Sequence, residues 1–233
     1  MIRPILISAA LLASTSAFAG KADDQAMERK ILAEFGKCVV KLDPVSAKTA
    51  VLSDLESAEI YKNHKKLMDS SCLPSTVGSG IRLQMDDVSL KAAMAQTLIY
   101  RDLQNSQFND FTQAPPLTHR QPYPLKTVND KTGLPLNEKA IKSQQEAIAR
   151  KTLAYTVSRF GECVVRSDPA SARNVVFAPI GTPEEMAAMK AMAPVLSSCI
   201  AKGENVAFTR LSIRNTLAVN YYRLANAMPG GTQ

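Results

Sequence analysis

The chain has 233 residues and a formal net charge of +7, a modest basic excess. That balance favours weak, salt-sensitive attraction to acidic partners such as anionic headgroups, cell-wall polymers or acidic proteins. With no run of five basic residues and no Trp to stack on bases, it gives no support to a role on nucleic acid.

Residues 1–19 have the layout of a secretory leader. Arg3 supplies the charged start, Ile5 to Leu12 the apolar run and Ala17-Phe18-Ala19 the small-residue site, so cleavage after Ala19 is expected. A bilayer span needs about 20 apolar residues, more than this run offers, and no later segment reaches that length without charges. Gly20 stands where a lipid-anchored protein would carry cysteine. The expected location is the periplasm, with outright secretion as the alternative.

A helical repeat is expected over 20–104. Leu32, Phe35, Val39 and Leu42 recur at spacings of three and four, an amphipathic helix with Gly36 inside it and Cys38 on its flank. A glycine within a helix costs about 1 kcal/mol against Ala, which points to another backbone packed close by. Asp43-Pro44 then reads as a helix start, Asp capping and Pro first. Further on, Ile60, His64, Met68 and Cys72 fall at four-residue spacing, which puts His64 on the cysteine's face. A short extended piece over 81–85 precedes a last helix capped by Asp86, with the stripe Leu90, Met94, Leu98.

Residues 105–136 are expected to form a linker, because prolines at 115, 116, 122, 124 and 135 forbid a regular helix. Phe108, Phe111, His119 and Tyr123 give it more aromatic content than a spacer needs. It either packs across the surface or is offered to a partner.

Over 137–228 the first pattern returns. Phe160-Gly161-Glu162-Cys163-Val164-Val165-Arg166-Ser167-Asp168-Pro169-Ala170-Ser171-Ala172 matches Phe35-Gly36-Lys37-Cys38-Val39-Val40-Lys41-Leu42-Asp43-Pro44-Val45-Ser46-Ala47 at nine of thirteen positions, 125 residues later. The chain is therefore read as a tandem duplication. Asn137 can cap a long helix toward Arg166, with the stripe Leu153, Val157, Phe160 and Val164. Thr182-Pro183-Glu184-Glu185 reads as a capping box before a helix through Met186, Met189, Ala193 and Leu196 to Cys199. After an extended piece over 205–208, Thr209 caps a final helix striped by Ile213, Leu217, Tyr221 and Leu224, and 229–233 is a flexible tail.

Export places four cysteines where disulfides persist, and a module copied as a unit most simply carries its own staple. The expected pairs are Cys38 with Cys72 and Cys163 with Cys199. The fold expected is all-α, two tandem disulfide-stapled repeats of about three to four helices each with at most short strands.

Chemistry is sparse. No nucleophile elbow, phosphate-cradling loop, zinc or haem signature occurs, and neither histidine is matched across the copies. Glu34, Glu56, Glu59, Asp69 and Glu162 read as surface carboxylates. No catalytic residue, metal site or cofactor is assigned. Copper or zinc handling through the cysteines and nine methionines is the weakest of the readings weighed. Candidate binding residues are Lys41 and Arg166, Lys48 and Arg173, basic in both copies beside a helix start, together with His64.

The motif Phe-Gly-x-Cys-Val-Val-x-x-Asp-Pro, followed by Ser71-Cys72 or Ser198-Cys199, resembles that of uncharacterised exported bacterial proteins built from one or two such units. The resemblance covers both repeats and implies a disulfide-stapled helical fold without naming an activity. The expected function is a non-catalytic periplasmic binding or structural module that engages an envelope protein or an anionic cell-wall or membrane surface. The alternative is a hydrolase or small-ligand-binding protein with its site between the repeats.

Overall fold

Two Asp-Pro pairs set the layout of the chain. In this computed structural model, which describes residues 16–73, 87–108, 110–200 and 208–229, helices α1 (Ser16–Leu42) and α5 (Glu138–Ser167) each stop just before an aspartate. Asp43 and Asp168 accept from the backbone N–H groups of Ser46 (3.0 Å) and Ser171 (2.9 Å), opening α2 (Pro44–Leu52) and α6 (Pro169–Phe177). The carboxylate satisfies an amide that the first turn leaves open, and the missing N–H of proline is harmless there. Both caps take nearly the same backbone angles, φ −147° with ψ 80° and φ −149° with ψ 81°.

The first copy continues through α3 (Ser57–Asn63), two 3₁₀ turns (Lys65–Met68 and Ser70–Cys72) and α4 (Asp87–Asp102). The second continues through α7 (Pro183–Ala191), α8 (Ala193–Ser198) and α9 (Arg210–Ala227), which Thr209 caps as expected, accepting from Ser212 N–H at 3.1 Å. Among the described residues the only sheet-like pairing is one antiparallel bridge between Val128 and Pro135, so the fold is all-α. No described helix is long and apolar enough to cross a membrane. The bridges are Cys38–Cys72 and Cys163–Cys199, with Cα atoms 5.4 and 5.8 Å apart. Each closes a loop within one copy, a constraint on the unfolded chain that contributes about 3 to 4 kcal/mol.

Several local expectations are corrected. His64 ends α3 with φ −135° and ψ 62°, and the chain goes on as 3₁₀ turns, so the single helical face Ile60, His64, Met68, Cys72 does not form. The helix expected to run to Cys199 breaks at Met192, because Pro194 has no N–H to give the Lys190 carbonyl and its ring crowds that turn. Thr182 accepts from Glu185 N–H at 3.4 Å, yet the Glu185 carboxylate turns inward instead of closing a capping box. Leu42 and Leu153, the ends of the two expected stripes, are exposed. The expected extended piece 81–85, the cap at 86, most of 205–208 and the tail beyond 229 lie outside the described residues.

One hydrophobic core draws on both copies. Helices α4 and α9 pack against each other at its centre, with α1 laid on α4 and α5 on α9. Burial of α9 runs unbroken from Arg214 to Ala225, so polar side chains are buried along with the apolar stripe. Both repeated glycines mark the closest approaches. A Cβ on Gly36 would overlap the backbone carbonyl of Ala93 in α4, and one on Gly161 would overlap Thr216 and Asn220 in α9.

Because the clash at Gly36 is with backbone, no side-chain rotation relieves it, and Gly36→Ala should destabilise by about 3 kcal/mol. Gly133→Ala, at a positive φ with nothing within 4 Å, should lose only about 1 kcal/mol. Urea unfolding monitored by circular dichroism measures both.

Candidate functional site

The segment 105–136 is a strap over α5 and α9, and arginines hold it down. Proline-rich chain cannot satisfy its own carbonyls through a ladder, so they need donors from elsewhere. Arg166 donates to the carbonyls of Phe111 (2.7 Å), Ala114 (3.1 Å) and Pro115 (2.7 Å). Arg173 donates to those of Gln104 (3.0 Å) and Ser106 (3.3 Å) and lies over the Phe177 ring. Phe111 is a buried anchor, stacked on Phe108 and edge-on to Tyr221. Further along, Leu117 N–H donates to Glu162 (3.1 Å), Arg223 donates to Thr118 O (2.8 Å), and Arg120 pairs with Glu56 and Glu59.

Two of the five residues singled out for binding, Arg166 and Arg173, are therefore engaged with the strap. Lys41 is exposed in the last turn of α1, Lys48 is half-buried on α2 within electrostatic reach of Asp102, and His64 is half-buried at the end of α3. None of the five lines the cleft where the two copies meet.

That cleft, of about 100 Å³, opens where α4, α5, α9, the strap and the α2–α3 loop converge. Lys151 and Arg120 on its wall are paired with Glu56, and Lys91 donates to Ser53 O at 3.0 Å. Arg223 is different. It is 8% exposed, and among the described residues its only hydrogen bond goes to Thr118 O and no carboxylate reaches ion-pair distance. Burial lowers its pKa, while the more distant charges of Asp54 and Glu162 work in the opposite direction. A buried cation without a bonded counter-ion is unfavourable.

Beside it lies Asn220, whose Nδ2 donates to Ser158 O (3.1 Å), Thr216 O (2.9 Å) and Thr216 Oγ1 (3.2 Å). Thr216 Oγ1 itself donates to Val157 O, so all three neighbours act as acceptors and fix which way the amide faces. Its Oδ1 is then a buried acceptor without a partner among the described residues. Both irregularities belong to residues that line the same cleft.

On α5, Ser158 of the cleft wall and Glu162 stand one turn apart, and His119 of the strap joins them. Nδ1 lies 2.8 Å from Ser158 Oγ and Nε2 lies 2.5 Å from Glu162 Oε2. Burial raises the Glu162 pKa, but bonds from His119, Leu117 N–H and Arg166 outweigh it and leave the pKa below the ordinary value. Glu162 is thus no surface carboxylate, and Glu56 is committed to two cations. Sequence reasoning missed His119, Ser158, Glu162 and Arg223 as a group. The available signal was divergence between the copies: Ser158 and Glu162 stand where the first copy has Ala33 and Lys37.

A larger groove of about 450 Å³ runs between α1, α4 and the α6–α7 loop. The arginine on its wall, Arg214, has every donor bonded within the protein, and Lys37 pairs with Glu34 there. Among the described residues no set of three His, Cys, Asp or Glu is placed to hold a metal ion. Comparison with protein-family models, curated proteins and solved structures finds no match.

The Glu162 carboxylate stabilises the strap fully above the ordinary glutamate pKa and loses that effect as pH falls through its depressed folded value. Hydrogen-exchange protection at Leu117 and its neighbours should therefore drop on acidification before that of α4 and α9. Glu162→Gln should show low protection already at neutral pH.

Proposed function

We propose that the protein is an exported binding module that holds a small organic anion in the cleft between its two repeats. Export rests on the leader sequence, on the resemblance to exported proteins of one or two such units, and on two disulfides of the kind that persist outside the cytoplasm. The periplasm is the compartment that fits best.

The observation that carries the binding reading is Arg223, a buried guanidinium on the cleft wall with no ion-pair partner among the described residues. A ligand's carboxylate or phosphate would supply the missing charge through a bidentate contact. Asn220 beside it keeps a buried Oδ1 without a partner among the described residues, a second polar irregularity at the same wall. A cleft of about 100 Å³ limits the bound group to a few heavy atoms, so the ligand is a small organic anion or one end of a larger envelope molecule.

A second reading, contact with another envelope component, is favoured by exposed apolar side chains on the strap. Tyr123, Leu125, Val128 and Leu134 are all solvent-accessible there.

Binding should appear as a rise in melting temperature. A ligand at about 100 times its Kd stabilises the folded state by about 2.7 kcal/mol. A panel of glycolate, lactate, glycine, serine and inorganic phosphate, set against chloride of equal ionic strength, should contain at least one compound that raises the Tm. Arg223→Gln should abolish that rise. If no compound acts on the wild type, the cleft is not an anion site.

A further inference from the structure

We propose that Ser158 is a nucleophile and that the cleft hydrolyses small esters carrying an acidic group. This rests on the anion-binding reading above for its substrate class, and on separate geometry for its chemistry.

Ser158 and Glu162 project from one face of α5, and the strap brings His119 between them. A serine inside a helix ordinarily turns its hydroxyl back to the carbonyl one turn earlier. Here the hydroxyl meets an imidazole nitrogen instead, while Ser158 itself lines the cleft. Behind it the His119 and Glu162 side chains are nearly sealed, at 8% and 13% exposed. Leu117 N–H and Arg166 Nε fix the carboxylate from the other side. In the neutral ring, the Nε2 proton goes to Glu162, which leaves Nδ1 to accept from Ser158 Oγ. That is a nucleophile, a base and an orienting carboxylate in sequence, defined by roles and reach rather than by chain order.

The chemistry balances without any further reactant than water. Ser158 Oγ attacks the ester carbonyl carbon and its proton passes to His119 Nδ1. The carbon–oxygen bond to the leaving group breaks, and that oxygen takes the proton from His119. Water then attacks the acyl-Ser158 ester, gives its proton to His119 and releases the acid, after which the proton returns to Ser158 Oγ. Ser158 and His119 are the catalytic residues, and Glu162 is a positioning residue. Arg223, on the same cleft, holds the substrate's acidic group.

The test is a fluorophosphonate probe on the full oxidised protein, with the adduct mapped by mass spectrometry. A general base contributes about 10²- to 10⁴-fold, so His119→Gln should slow labelling of Ser158 by at least about 100-fold. Glu162→Gln should slow it less and change its pH profile, which a merely structural role would not do. The anion that raises the Tm should protect Ser158 from the probe. If His119→Gln does not fold, the wild type decides by itself: an adduct at Ser158 that is lost on heat denaturation supports the proposal. No adduct at Ser158, or equal labelling in folded His119→Gln, overturns it. An anion effect on Tm without any adduct leaves a binding cleft and removes the nucleophile. An adduct without any anion effect keeps the nucleophile and removes the acidic substrate class.

Discussion

A single carboxylate, Glu185, joins the two halves of the chain. It accepts from Arg29 on α1 and from Arg214 on α9 (2.9 Å), and it takes the Gly181 N–H at 2.9 Å. All three charged residues are buried. Arg214 spends its five donors on Glu185, on Gln96 of α4 and on the carbonyls of Val175, Val176 and Ala178 at the end of α6. A cation over a helix C-terminus also meets the negative end of the helix dipole. Burial raises the Glu185 pKa, but the bonds from Arg29 and Gly181 and the charge of Arg214 prevail, so the group is ionised. Removing one partner from such a cluster strands a buried charge, which is why its effect reaches α1, α4, α6, α7 and α9 at once.

Around that cluster, two close backbone approaches let the copies share a core. Gly36 admits α4 against α1, and Gly161 admits α9 against α5, so the last helix of each copy reaches the centre and packs on the other. The disulfides tie α1 to the second 3₁₀ turn and α5 to the end of α8, and the strap crosses the seam. The cleft follows from this arrangement. It lies where the strap, α4, α5 and α9 meet, and the polar residues buried along α9 supply its floor.

Much of the scaffold was legible because its causes are local. Asp43-Pro44 and Asp168-Pro169 carry their helix starts within three residues, the glycines signal close packing by their position, and the matching motifs around Cys38 and Cys163 point to the pairing seen. The failures are tertiary. Glu185 reads as half of a capping box until Arg29, 156 residues away, draws it inward. Arg166 and Arg173 look like an anion-binding edge because a sequence does not show that a proline-rich strap offers them carbonyls. Burial along α9 follows no amphipathic stripe, since that helix is enclosed on every side and its polar residues are buried with the apolar ones. What the sequence does carry is asymmetry: Ala33 against Ser158 and Lys37 against Glu162 mark the long second-copy helix as the place where the copies part company.

The central claim is that both repeats, with the strap, unfold as one cooperative unit built on the shared α4–α9 core. Differential scanning calorimetry of the oxidised protein tests it most directly. The account predicts a single transition with a calorimetric to van't Hoff enthalpy ratio of about 1. Two resolved transitions, or a ratio of about 2, would mean that each repeat melts alone and would contradict it.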